Sequence, residues 1–517
     1  MDQKGQTQKN LVFNILSLVI NVGVGLVYTP YLVRSLGIAA YGIVPLALII
    51  NQYINVITGS LTGSLTRFYS VALQKNDYPG SSEYMSSSFI AISAIVVLLI
   101  PIFVLIIFKV DSVFNIPVEY VYKAKVLFTF TLISFIFSLY SSLLNITLYA
   151  INRLDSINVI KITRVAVKVI LTIALFEAIA KDVSYIGYAN FFTELIVLFL
   201  SIYFFRKTAE RKINISKRNF KKERLLALLF MATWVIIHQL GDTGLYRIDN
   251  ILVNKFWSTR ESGILGAVSE FGGYVMTIVT VIASLFGPLI LIAYSKGDHD
   301  QVKELAMQNS LLVGIFTALI VGLLIGFAKP IISLWLGKEY SDYSYWFVLK
   351  QVNIPFYAAA GVFAFVNRAW NKVKFPALMT LVIGVINLLV SLLICNLSNG
   401  NEKFIIIMLI VSLIFIITQS YWLNGLFFLS LYPDLPKRNL LIAFLKILIT
   451  IGVAILSTVI FSFFIKGSGI IKLSSGLIIC FIISGISVFL LILSHVERKS
   501  IIDFAFSGIF QLQKKMR

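Results

Sequence analysis

Apolar positions in this chain run on for twenty residues and more between short polar turns, a pattern too continuous for amphipathic surface helices or half-buried strands. A helix that crosses a hydrocarbon core of about 30 Å needs about 20 such residues. That window predicts about fourteen membrane-spanning helices. The series begins with Leu11 to Val33 and Gly42 to Leu65 and passes through Val159 to Phe176 and Ile186 to Phe205. After a polar break it resumes with Leu225 to Val253 and Gly263 to Ile292, and it ends with Leu440 to Phe464 and Ile470 to Leu493. The polar N-terminus, MDQKGQTQKN, leads into the first span with no small-residue cleavage site, so that span reads as a retained anchor.

Composition changes this picture only by closing alternatives. Of 517 residues, 58% are hydrophobic and 13% charged. A soluble chain of this length leaves about a quarter of its unfolded-chain surface in water and could not hide so much apolar area. Cys395 and Cys480 both sit in apolar runs and offer no disulfide framework. No nucleotide-binding GxxxxGK[ST] and no HExxH occurs, so no cofactor or metal is expected and the chain does not read as an enzyme. Asp298-His299-Asp300 reads as a solvated loop, since no soluble domain surrounds it.

The net charge of +20 needs an explanation. With both termini in the cytoplasm, about 26 Lys and Arg fall inside and about 12 outside. The segment Arg206 to Arg224 alone holds nine. Most of the charge is therefore topology and contact with anionic lipid, and no nucleic-acid partner is expected.

That basic segment follows the sixth span and divides the chain. Lys109 with Glu119-Tyr120 recurs as Lys329 with Glu339-Tyr340, and Gly25-Leu26 as Gly244-Leu245, at shifts of about 220. Asn152-Arg153 is matched with Asn367-Arg368 at a shift of about 215. The expected fold is an all-α integral membrane protein of two pseudo-symmetric six-helix lobes, residues 1–205 and 225–431, joined by a cytoplasmic linker, 206–224. Two accessory helices, 432–497, and a basic tail, 498–517, follow. Parallel repeats of this kind place a transport path at the repeat interface.

Charges inside the spans are the candidate chemistry. Lys161, Arg164 and Lys168 share one face of span five, and Lys168 is deeper than snorkelling comfortably reaches. They predict a cationic wall for an anionic substrate, with Lys350 extending it from one face shared with Asn353 and Tyr357. Arg153 and Arg368 are expected at the cytoplasmic rim. In span seven His238, Asp242 and Asp249 share a face on a continuous helix, and Arg247 joins them only if Gly241 and Gly244 break it. Glu270 precedes Gly272-Gly273, another expected break. Asp242, Asp249 and Glu270 are the candidates for ion coupling, and structural pairing is the competing reading of all three.

The exit of the first span, YLVRSLGIAAYGIV (Tyr31 to Val44), and its counterpart, YRIDNILVNKF with SGILGAV (Tyr246 to Val268), resemble the Wzx-type polysaccharide repeat-unit flippases of the multidrug/oligosaccharidyl-lipid/polysaccharide exporter superfamily. The resemblance implies alternating access. It also implies an undecaprenyl-diphosphate-linked glycan as cargo, moved from the inner to the outer leaflet of the bacterial cytoplasmic membrane for O-antigen, capsule or exopolysaccharide synthesis. An H+ or Na+ gradient is implied as the driving force, with a polysaccharide polymerase and chain-length regulator as partners. The alternatives are a lipid II flippase and, from another class, a membrane glycosyltransferase or O-antigen ligase.

Overall fold

The computed structural model describes residues 3–208, 212–284, 286–465, 469–495 and 497–498, and the basic tail from 499 lies outside the described residues. Helix follows helix, with no strand among the described residues. The first row comprises α1 (Gln3–Leu36), α2 (Ile38–Tyr41), α3 (Ile43–Gln74), α4 (Tyr78–Phe108), α5 (Val110–Val113), α6 (Val118–Ala150), α7 (Leu154–Ala178) and α8 (Ser184–Thr208). The second comprises α9 (Lys222–Tyr246), α10 (Ile248–Phe256), α11 (Thr259–Ser284), α12 (Gly287–Ser295), α13 (His299–Gly326), α14 (Ala328–Trp335), α15 (Ser344–Gln351), α16 (Ile354–Ala369), α17 (Lys374–Leu397), α18 (Lys403–Ile417) and α19 (Asn424–Leu431). Two more follow, α20 (Lys437–Phe464) and α21 (Ile470–Leu491).

The second row repeats the first about 220 positions later, with several helices interrupted: α9 with α10 corresponds to α1, α11 with α12 to α3, α15 with α16 to α6, and α17 to α7. The turns repeat as well. Asn152 and Asn371 both adopt the left-handed backbone, φ 60° and 53°, that ends a helix. The next amide in each case reaches back to the carbonyl of the helix's last turn, Arg153 to Leu148 at 2.8 Å and Lys372 to Asn367 at 2.9 Å. Likewise Asn76 and Gly297 turn the chain at positive φ, and the aspartates after them, Asp77 and Asp298, cap α4 and α13. The structural mate of Asn152-Arg153 is thus Asn371-Lys372, not Asn367-Arg368. The expected shift of about 215 was a chance identity, since Asn367 is a buried residue inside α16.

Among the described residues, twelve helices are long and apolar enough to cross a membrane. Two of the fourteen expected spans are not among them. Residues 49–55 of α3 have side chains outside the described set, and α7, 25 residues long, is interrupted by Lys161, Arg164 and Lys168. The apolar run from Trp346 to Asn367 is kinked between α15 and α16. Pro355 there has no amide hydrogen for the Gln351 carbonyl, while Val352 and Asn353 keep right-handed helical angles. Lys350 and Tyr357 consequently stand on two helices instead of one continuous face.

Contacts divide the chain into two compact units, Met1–Tyr274 with Ala377–Phe415, and Val275–Pro376 with Ile416–Arg517. The chain passes from one to the other inside α11, in the first turn of α17 and inside α18. In the first unit α1 and α7 are clasped by amide side chains. Asn10 donates to the Asn152 carbonyl at 2.9 Å and accepts from the Asp155 amide at 2.9 Å, and Asn158 donates to Asn14 at 2.6 Å. Glycine closes α9 on α17, because a Cβ at Gly384 would lie 2.6 Å from the Gly241 carbonyl oxygen.

The basic linker is also part of this unit. Its backbone is pinned to the first turns of α4, where Ser82, Ser86 and Ser87 hydroxyls accept from the amides of Asn214, Ser216 and Lys221 at 3.0, 3.2 and 3.1 Å. Arg224 closes the strap on Glu83 at 3.2 Å. In the second unit α20 lies close on α13, with Ala454 and Ile451 against Gly322. Residues Lys446 and Glu497 pair at 2.6 Å. The first accessory helix is therefore core to its unit, while α21 keeps Ile471, Ile478 and Leu491 exposed.

The turn between α7 and α8 gives a pH prediction. Burial acts to raise the Asp182 carboxyl. The hydrogen bond from Lys123, 2.6 Å away, and those from the Ser184 amide and hydroxyl outweigh it and hold the group below its ordinary value. A depressed folded-state pKa contributes stability above the unfolded value that is lost as pH falls through the folded one. Asp182→Asn is expected to lower the melting temperature at neutral pH and to match wild type in acid, which a thermal-shift series across pH checks.

Candidate functional site

All the site features that follow lie within the first compact unit unless stated. On α7 the basic residues recur every three to four positions, so the helix itself aligns them. They do not form a uniform cationic wall. Arg164 is paired with Glu194 of α8: Nε lies 2.6 Å from Oε1, and Nη2 donates to Oε2 at 3.1 Å. Lys168 places its ammonium 5.5 Å from the centre of the Tyr28 ring, a cation–π contact from α1. The carboxylates whose charge reaches Lys168 are Glu194 and Glu270. Lys161 has no carboxylate within ion-pair distance among the described residues, and Arg164 is its charged neighbour.

Separate hydroxyl pairs join α1 to α7 and α1 to α11. Tyr28 shares a 2.9 Å hydrogen bond with Thr172, and Thr172 donates to the Lys168 carbonyl at 2.8 Å. On the other side of α1, Thr29 and Tyr274 hydroxyls are 3.2 Å apart. Gly25 admits the Tyr274 ring, since a Cβ there would stand 2.5 Å from it. Tyr274 lies one turn beyond Glu270 on α11, which runs unbroken through Gly272-Gly273. The break expected at those glycines is absent.

The other expected break is real but displaced. Helix α9 continues through Gly241 and Gly244 and stops at Arg247, where φ is −125° and ψ −20°, before α10 starts at Ile248. The interruption moves Asp249 off the face of Asp242. Asp242 pairs with His238 at 3.2 Å, whereas Asp249, buried, lines a small cleft with Arg247, Asn250 and Glu270. Asp249, Glu270 and Arg247 thus line one cleft beside a helix break, an arrangement that a coupling cation or proton could exploit.

Above this cleft two glycines meet. A Cβ on Gly42 would fall well inside contact distance of the Thr259 carbonyl oxygen and 3.0 Å from the Gly263 amide nitrogen. A Cβ on Gly263 would stand 3.1 Å from the Gly42 Cα and collide with the Ile38 carbonyl oxygen. Gly42 and Gly263 are repeat mates, Gly42 just before α3 and Gly263 in the first turns of α11. Next to them Asn254 takes the Asn115 amide at 3.0 Å, Asn115 donates to the Trp257 carbonyl at 2.9 Å, and Lys255 donates to the Ser112 carbonyl at 2.7 Å.

Of the remaining candidates, Arg153 is engaged locally, with Nε 3.0 Å from Asp155 Oδ1. Arg368 folds back on its own helix, donating to the Ala364 carbonyl at 3.1 Å and covering the Phe365 ring at 4.5 Å. Arg368 and Lys350 belong to the second unit. Sequence reasoning missed Glu194, although a single acid in an otherwise apolar span is a signal, because a charge at that depth requires a partner. The hydroxyls of Tyr28, Thr29, Thr172 and Tyr274 left no signal, being ordinary residues within helices.

A family profile described as "Polysaccharide biosynthesis protein" matches residues 7–291. The chain is 27% identical over 387 residues to a protein of Bacillus subtilis (strain 168) called uncharacterized membrane protein EpsK, covering 74% of this chain and 75% of that one. Among solved structures, the lipid II flippase MurJ in an inward closed conformation superposes with a TM-score of 0.61 at 14% identity, covering 93% of this chain and 98% of that one. An inward-facing multidrug transporter of the MATE family superposes with a TM-score of 0.61 at 13% identity, covering 80% and 95%.

Proposed function

The chain belongs to the polysaccharide biosynthesis protein family, and from that membership we propose that it is a flippase for a lipid-linked glycan. It carries an undecaprenyl-diphosphate-linked oligosaccharide from the inner to the outer leaflet of the bacterial cytoplasmic membrane by alternating access, with both termini in the cytoplasm and the two lobes 1–205 and 225–431 as its moving halves. The observation that carries the reading is the cation set of α7 at membrane depth, with the Lys168 ammonium against the Tyr28 ring and within reach of the charges of Glu270 and Glu194. A diphosphate in a low-dielectric site needs cationic, hydrogen-bonding partners, and Lys161 and Lys168 supply them. The cleft of Asp249, Arg247 and Glu270 is the proposed place for coupling to H+ or Na+.

Deletion of the gene is expected to accumulate one lipid-linked oligosaccharide on the cytoplasmic leaflet, identified by mass spectrometry of extracted lipids, and to strip the corresponding surface glycan. Unchanged lipid pools would end the flippase reading. Asp249→Asn is expected to remove the response of vesicle transport to a proton or sodium gradient while leaving the protein in the membrane, and an unchanged response returns Asp249 to structural pairing. A second reading, lipid II as cargo, is favoured by one observation: the MurJ superposition takes in 93% of the chain against 80% for the MATE transporter. Accumulation of lipid II in place of a glycan repeat unit would select it.

A further inference from the structure

The three cations of α7 are unequal, and the residue that makes them so is Glu194. It grips Arg164 at two points, 2.6 and 3.1 Å, and its charge also reaches Lys168. Two roles are open to such an acid. It could brace α7 against α8, or it could set how much positive charge α7 presents.

Bracing explains it poorly. Glu194 sits on α8 between Phe191-Phe192 and Leu195-Ile196, and a carboxylate at that depth costs about 2.5–3.5 kcal/mol to insert. An apolar pair of similar volume commonly packs as well or better than a buried ion pair. In the second row α17 past Lys374 and α18 past Lys403 hold no Lys, Arg, Asp or Glu, so cations and acid are missing together. The acid accompanies the cations.

We propose that Glu194 is a specificity-determining residue: by cancelling the charge of Arg164 it sets the positive charge that α7 offers, and thereby how many negative charges a bound lipid phosphate carries. The proposal rests on the flippase reading above. The groups facing the site from each packed element are Tyr28 of α1, Glu194 of α8 and Glu270 of α11, with Lys161 and Arg164 on α7 itself. With Glu194 ionised, α7 offers two positive charges against the reach of Glu270. With Glu194 neutral it offers three, and preference moves toward the more highly charged headgroup.

The test measures binding of undecaprenyl monophosphate and undecaprenyl diphosphate to the purified full-length protein by native mass spectrometry. Glu194→Gln is expected to shift the ratio of the two affinities toward the diphosphate by on the order of tenfold or more, since one unit charge a few ångströms away in a medium of low effective dielectric contributes that much. Arg164→Gln combined with Glu194→Gln restores the net charge and should return the ratio to wild type. A ratio unchanged in Glu194→Gln, with the melting temperature altered, would show a brace and overturn the proposal. Should Glu194→Gln fail to accumulate, Glu194→Asp keeps the charge but withdraws it from Arg164. A smaller shift toward the diphosphate is then expected, and no shift overturns the proposal. Wild-type protein that binds neither lipid removes the flippase reading and this inference with it, whereas binding with an unmoved ratio removes this inference alone.

Discussion

Gly42→Val and Gly263→Val are each expected to abolish surface glycan in a complementation assay, a loss on the order of tenfold or more, because forcing even a methyl group into a backbone-to-backbone contact costs about 1–3 kcal/mol and every 1.4 kcal/mol is a factor of ten. The atoms met by a new Cβ are the Thr259 and Ile38 carbonyl oxygens and the facing glycine's own backbone. None is the flexible end of a side chain, so the two helix starts must separate. In the proposed orientation they lie on the outer side, and a chain that cannot bring them together cannot close there. The expected signature is normal abundance in the membrane with raised accessibility of a cysteine placed at Ala39 to an impermeant thiol reagent. Normal export by either variant would show that the glycine contact is dispensable. Gly23→Ala is the control, since nothing lies within 4 Å of the added atom.

Lys168→Gln is the second variant expected to abolish export, again by at least about tenfold, with the protein still in the membrane. Its ammonium leans on Tyr28 without being locked in a two-point pair, so unlike Arg164 it is free to take a phosphate as partner. Arg164→Gln should behave differently. It leaves Glu194 as a carboxylate without its guanidinium, and removing one member of a half-buried pair leaves the other charge uncompensated inside the membrane. Abundance is therefore expected to fall before transport can be scored. Quantitative immunoblotting beside the glycan assay separates the two outcomes, and equal abundance with equal export in both variants would refute the division of roles.

Much of this architecture was legible in the sequence because long apolar runs report helices directly, and the repeat could be read wherever its identities fell on turn residues or glycines. The slip of four positions at Asn367-Arg368 shows the limit. Side-chain identity misleads where the repeated feature is a backbone conformation, the left-handed turn of Asn152 and Asn371. Interruptions were harder. Pro355 announces its kink through its missing amide, but the stop at Arg247 follows from the surroundings of α9, where Gly241 and Gly244 are used for close approach to α17. The α7 cations were visible and their pairing was not, since Glu194 lies thirty residues away and only the fold sets it beside Arg164.

The passages between the two compact units are made of helix. Two of the three fall within continuous helices, after Tyr274 in α11 and after Phe415 in α18, and the third in the first turn of α17, while the hydrophilic linker is stapled down by hydroxyls. Each covalent crossing is thus made by helical backbone, and the linker is not one of them. Three residues past one of these passages, Thr418–Leu423 winds as a π-helix, whose wider turn stores a spare residue that tightening to α-helical pitch would release.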